Sequence, residues 1–317
     1  MLLIASAVFL LGYQVQSLIL KVKLFHTGSV ISEPVFHLLL PVGISFWIFQ
    51  NIAYLVDVYK SKIPAEKSLG RYLLFIGYFP KLPVGPIERG ENLLPQIPGG
   101  YHFAYDRTVD GLQLVMIGLF KKIAVADTIA PIVNNVYDNC TAYTGLALLL
   151  STVLYAFQIY CDFSGYTDMA IGFSEMLGIR LMENFRCPYL SKSISEFWRR
   201  WHISLSTWFR DYVYIPLGGN RVKLFRYLLN TMITFTLSGV WHGASVNFII
   251  WGALNGLFLC VENLKKRLLH TNKSESRVLD FFKWLITFIL ICFSWIFFRA
   301  KHFSEAVYII THAFGVV

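Results

Sequence analysis

Apolar residues fill long stretches of this chain, and the polar positions between them mark where each stretch ends. Runs rich in Leu, Ile, Val and Phe lie at about 1–20, 36–58, 72–87, 112–134, 147–171, 228–243, 245–262 and 282–298. Roughly 20 apolar residues in a helix cross a hydrocarbon core. The pattern therefore predicts an all-α, polytopic transmembrane bundle. The first run lacks the small-residue cleavage pattern of a signal peptide and is followed by Lys21 and Lys23, so it reads as a transmembrane helix. Run 72–87 contains Pro80, Pro83 and Pro86, which remove backbone donors. It reads as re-entrant or broken, a form tolerated at membrane depth only inside protein or along a wet cavity. Lys121 and Lys122 interrupt the fourth run and place its start along the interface.

One stretch, SKSISEFWRRWHISLSTWFRDYVYIPLGGNR (191–221), has a different periodicity. Ser193 followed by Glu196 has capping-box spacing and predicts a helix start. At 100° per residue, Phe197, Trp201, Leu205, Trp208 and Tyr212 share one arc, while Glu196, Arg200, Ser204, Thr207 and Asp211 share another. That is an amphipathic helix lying in the interface with tryptophans at headgroup level. His202 falls at the boundary of its two faces, near Arg199 and Arg210. The helix ends at Pro216-Leu217-Gly218-Gly219-Asn220-Arg221, whose glycines permit a close backbone turn.

Composition agrees with a membrane protein: 56% of the 317 residues are hydrophobic and 15% charged, against about a quarter charged in soluble domains. No linker or repeat divides the chain, so a single membrane domain over 1–317 is expected. The net charge of +9 is concentrated at 175–227 and 263–283, whereas 135–146 carries no Lys or Arg. The positive-inside rule puts the first two on the cytoplasmic side. Anionic headgroups and phosphorylated ligands are then the expected partners, and no nucleic acid. The five cysteines are scattered without a CxxC pair, so no zinc site or disulfide framework is read.

Two polar clusters inside apolar runs carry candidate chemistry. Ser238-Gly239-Val240-Trp241-His242-Gly243-Ala244 sets an imidazole between two apolar segments, and an ionisable group there is a functional candidate. A neutral imidazole suits a general base that takes a hydroxyl proton. Gly239 and Gly243 either leave room for a substrate or let two helices approach. In Tyr160-Cys161-Asp162-Phe163-Ser164-Gly165-Tyr166-Thr167-Asp168, Asp162 and Tyr166 lie one turn apart. They line a cavity or join a structural hydrogen-bond network, with Asp162 partnering a buried Arg or His. The oxygen ligands needed for a metal are too few.

Taken with PVGISFWIFQNIAYLVDVY (41–59) and FPKLPVGPIERGENLLPQI (79–97), these motifs resemble the membrane-bound O-acyltransferase family, in particular its bacterial alginate O-acetylase branch. The resemblance implies tilted, interfacial and re-entrant helices around a central funnel. It assigns His242 as the general base and His202 as a second catalytic position that orients the donor or stabilises the oxyanion. It makes Arg199, Arg200 and Arg210 candidates for the donor's phosphates, and Trp241, Gly243, Asp162 and Tyr166 candidates for the funnel wall. The implied donor substrate is acetyl-CoA or an acyl-carrier thioester, with no bound cofactor or metal. The implied acceptor is a hydroxyl of an exopolysaccharide or of a partner protein. Extracytoplasmic polysaccharide-modifying proteins are implied as partners, and the bacterial inner (cytoplasmic) membrane as the location. Longer relatives carry further terminal helices, which the chain is expected to lack. Cys161 as an acyl-accepting nucleophile, a transporter or channel using the His and Asp residues, and an inactive export scaffold are the competing readings.

Overall fold

The computed structural model describes residues 43–82, 84–243, 245–269 and 276–315. The apolar run at 1–20 and Pro83 lie outside the described residues. Among the described residues the architecture is all-α. Helix α1 (Ile44–Tyr59) leads to α2 (Leu69–Gly77), whose N-cap Ser68 accepts from Arg71 N. A 3₁₀ turn at Phe79–Lys81 follows, and the next helical element among the described residues is a single α-turn at Gly90–Leu93. Run 72–87 thus breaks where its prolines lie.

Helix α3 (Tyr105–Leu119) continues through a π-helical stretch, Phe120–Ala126, into α4 (Asp127–Asp138). Lys121 and Lys122 therefore sit mid-rod, and no helix starts at them. Their charges are met by α5 (Leu146–Met176), where Lys121 reaches Asp168 and Lys122 reaches Asp162, each at 2.6 Å, and within the rod, where Lys122 reaches Asp127 at 2.7 Å. Two glycine pairs bring the rods together. A Cβ on Gly118 would stand 2.5 Å from the Gly165 carbonyl oxygen, and one on Gly111 2.6 Å from that of Gly172. Small residues permit such backbone approach between helices in membranes.

The amphipathic stretch forms two helices, α6 (Ile194–Arg200) and α7 (Ile203–Phe209), followed by a π turn at Arg210–Tyr214. Ser193 caps α6 as its spacing predicts, accepting from Glu196 N at 3.1 Å. The single continuous helix expected from periodicity does not form, because His202 takes a left-handed conformation with φ 44°. Nor do Trp201 and Trp208 present their rings to the surface, as an interfacial helix would. Trp201 and Trp208 are buried in protein, and Trp208 Nε1 donates to Phe49 O at 2.9 Å.

Helices α8 (Leu224–His242), α9 (Val246–Leu269), α10 (Arg277–Arg299) and α11 (Phe303–His312) complete the described fold. Of the described helices, α5, α9 and α10 are long and apolar enough to cross a membrane. Asn230 Nδ2 bonds the carbonyls of Leu217 and Gly219, tying the glycine turn before α8 to its helix. Both Gly218 and Gly219 have positive φ, as that turn requires.

Candidate active site

The break between α6 and α7 is made by residues distant in sequence. A strap at 180–186 runs alongside it, with Arg186 N donating to Arg200 O and Ile203 N donating to Asn184 O, both at 2.9 Å. Asn184 Oδ1 then accepts from Ser204 N at 3.2 Å. Asn184 therefore satisfies the first two N–H groups of α7, which a helix start leaves without intrahelical partners. The strap is itself held by the proline-rich segment: Gln96 bonds both the N–H and the C=O of Arg180, and Glu88 accepts from Met182 N. Ile87 N donates to Ser204 Oγ at 3.0 Å.

Three buried charges in that segment, Lys81, Glu88 and Arg89, were not singled out by periodicity. Lys81 Nζ donates to Gln50 Oε1 and, at 2.6 Å, to Phe75 O, fastening the broken segment to α1 and α2. Arg89 stacks over Tyr212 and lies 3.7 Å from Asp211. Charges inside, or directly after, an apolar, proline-broken run were the signal available.

His202 is 3% exposed. Its Nδ1 lies 3.0 Å from Asn184 Oδ1, and its ring packs edge-on to Phe163 at 4.6 Å and against Phe46 and Phe185. Phe46 also contacts Trp241, which contacts His242 at 4.7 Å. Phe46 and Trp241 thus link the two imidazoles through aromatic contacts. His242 ends α8, is partly accessible, and packs against Trp251 and Phe298, each at 5.1 Å. Among the described residues neither of its ring nitrogens makes a hydrogen bond. The indole N–H groups of Trp251 and of nearby Trp198 are buried and have no partner among the described residues.

A cavity of about 810 Å³ opens between α6–α7 and the α8–α9 hairpin. Arg199, Arg200 and Arg210 all line it, as do Thr231, Thr234 and Ser238 along one stripe of α8. Ser238 is one helical turn from His242. The Thr231 and Thr234 hydroxyls donate to carbonyls one turn back, at 3.1 and 2.7 Å, which leaves their oxygen lone pairs free to accept from a ligand. Arg200 is paired with Glu196 and Arg210 with Asp211, whereas Arg199 is exposed and has no ion-pair partner among the described residues.

The remaining sequence candidates lie in two places. Trp241 belongs to the aromatic wall between the two histidines. Gly243 follows His242, and a Cβ there would meet the Phe248 ring. Gly239 serves helix approach, since its Cα lies against α9 at Gly252. Asp162 and Tyr166 are on the other side of α5, where Lys122 pairs with the carboxylate and sits 5.4 Å from the Tyr166 ring centroid. Neither lines the cavity, and His202, Trp241, His242 and Gly243 lie outside its wall as well. Cys161 is buried and also outside the cavity wall. Among the described residues no group of three or more His, Cys, Asp or Glu is arranged to hold a metal.

Residues 59–303 match the membrane-bound O-acyltransferase family. A Pseudomonas aeruginosa protein named probable alginate O-acetylase AlgI is 46% identical over 85% of this chain and 51% of its own length. A Helicobacter pylori peptidoglycan O-acetyltransferase is 38% identical over 88% of this chain and 58% of its own length. A Bacillus subtilis teichoic acid D-alanyltransferase is 30% identical over 86% and 72% respectively. The chain spans about half the length of the alginate relatives it matches. With the match extending over more than half of its residues, the chain belongs to the membrane-bound O-acyltransferase family.

Proposed function

We propose that the protein moves an acyl group, acetyl in the first instance, from a thioester donor to a hydroxyl acceptor. The observation that carries the reading is the cavity lined by the arginines of α6–α7 and by a stripe of α8 that reaches Ser238, one turn before His242. Phosphates of acetyl-CoA or of an acyl-carrier prosthetic arm would meet Arg199, Arg200 and Arg210 through charge-assisted hydrogen bonds. From Tyr227 to His242 a helix rises about 20 Å at 1.5 Å per residue, which suits a long pantetheine arm whose amide N–H groups meet the free acceptors of Thr231 and Thr234.

At the inner end His242 takes the proton of the acceptor hydroxyl as its oxygen attacks the thioester carbonyl. A C–O bond forms, the C–S bond breaks, and the imidazolium returns the proton to the departing thiolate. His202 is the proposed second catalytic group, set beside His242 across Phe46 and Trp241. The unpartnered indole N–H groups of Trp198 and Trp251 are donors available to the developing oxyanion.

The acetylating relatives act on polysaccharides according to their names, so a hydroxyl of an exopolysaccharide, or of a protein that passes the group on, is the proposed acceptor. The proposed location is the bacterial cytoplasmic membrane, with extracytoplasmic polysaccharide-modifying partners. Membranes carrying the full-length protein and given acetyl-labelled coenzyme A or carrier thioester should form labelled ester. Label that crosses the membrane without ester formation would overturn the reading in favour of transport. In the same assay Arg199→Gln should raise the donor KM about tenfold with kcat little changed, the scale of one charged hydrogen bond. An unchanged KM would remove Arg199 from the donor site.

A further inference from the structure

The hydrogen bonds around Asn184 settle which nitrogen of His202 carries a proton. Ser204 N–H is a donor that cannot reverse, and it points at Asn184 Oδ1 from 3.2 Å. Ser204 Oγ accepts from Ile87 N, so its own proton goes to the same Asn184 oxygen, at 2.9 Å. Turning the amide over would set its NH₂ against the Ser204 backbone donor, so the oxygen is fixed on this side. His202 Nδ1, 3.0 Å from that oxygen, then faces an acceptor and must be the donor. In a neutral imidazole the other nitrogen keeps its lone pair.

We propose that Asn184 is a positioning residue that holds neutral His202 with its proton on Nδ1, so that Nε2 presents an acceptor to an O–H or N–H group of the substrate. The proposal rests on the acyl-transfer reading for the substrate but not for the tautomer. It excludes neutral His202 as a donor to the oxyanion. The left-handed backbone at His202 and the capping of α7 by Asn184 are parts of the same device, since one residue sets both the helix start and the ring. Around the ring, α1, α5 and the strap contribute Phe46, Phe163 and Phe185, and the nearest titratable group along the aromatic wall is His242 of α8, beyond Phe46 and Trp241.

Nitrogen-15 spectra of the full-length protein, with His202 assigned by its loss in His202→Gln, test the tautomer without any substrate. A pyrrole-type Nδ1 and a pyridine-type Nε2 are expected. The opposite pair overturns the proposal. Asn184→Asp keeps an acceptor for all three donors and adds a charge that stabilises the imidazolium. At equal membrane abundance its transfer activity should lose its acidic limb at higher pH than wild type, with donor KM unchanged. Asn184→Ala should lose about 10–100-fold in kcat, the range seen for partners that orient ligating histidines. Superposable wild-type and Asn184→Asp profiles would overturn the positioning role. Absence of transfer in the wild type would instead count against the proposed function, leaving the spectra to decide the tautomer.

Discussion

Replacing His242 with alanine is expected to lower kcat for acyl transfer by about 10²–10⁴-fold, the usual contribution of a positioned general base. The donor KM should change little, because the arginines and the α8 threonines that line the cavity stay in place. The geometry gives His242 what a base needs. It stands at the end of a helix, one turn beyond the innermost polar residue of the cavity stripe, with no hydrogen bond to a described residue occupying its lone pair. Alanine also removes a ring that packs on Trp251 and Phe298, so His242→Gln, nearer in volume, separates packing from chemistry. Both variants should accumulate in membranes to the wild-type level. Wild-type turnover by either at equal abundance would remove His242 from the reaction.

Gly252→Ala is expected to destabilise the protein by about 3 kcal/mol, the upper part of the range for overpacking a close contact. A Cβ at Gly252 would run into the Phe235 carbonyl oxygen and stand 3.1 Å from the Gly239 Cα, while a Cβ at Gly239 would meet the Phe248 carbonyl in return. Backbone cannot swing aside as a side chain can, so α8 and α9 must separate. That separation would shift Phe235 in the cavity wall and Trp251 beside His242, so activity should fall with stability. Gly256→Ala is the control on the same helix. Its Cβ would meet Met232 Sδ at 3.1 Å and Phe235 Cβ at 3.3 Å, and the flexible methionine can yield. Alanine also favours a helix over glycine by about 0.8–1.0 kcal/mol. Thermal unfolding in detergent should therefore separate the two variants clearly, and equal midpoints would contradict the packing account.

The parts of this fold that obey local rules were legible in the sequence. Apolar runs located α5, α8, α9 and α10, prolines marked the break after α2, and the Ser193–Glu196 spacing marked the start of α6. The arginines near His202 also proved to share a cavity. What local rules could not reach was anything settled by a distant partner. Periodicity runs unbroken through Trp201 and His202, and the interruption there comes from Asn184, 18 residues earlier, which supplies the cap of α7. Ser204 falls on the polar arc, yet it is fully buried because Asn184 and Ile87 satisfy it. Lys121 and Lys122 looked like an interfacial boundary until Asp168 and Asp162 of α5 neutralised them inside a continuous rod. The same pairing turns Asp162 and Tyr166 away from the cavity. Two readings of Gly239 were open from sequence, and only the approach of α9 distinguishes them.

In the proposed reaction the thioester donor lies in the cavity between α6–α7 and α8–α9 when His242 acts. Thr234→Cys, made in a chain whose exposed Cys187 is replaced by Ser, places a thiol on that wall. Its rate of modification by a water-soluble thiol reagent can be followed in membranes of the full-length protein. Saturating acetyl-CoA or carrier thioester should slow the modification strongly, and an acceptor sugar alone should not. An unchanged rate at donor concentrations that saturate acyl transfer would contradict the account.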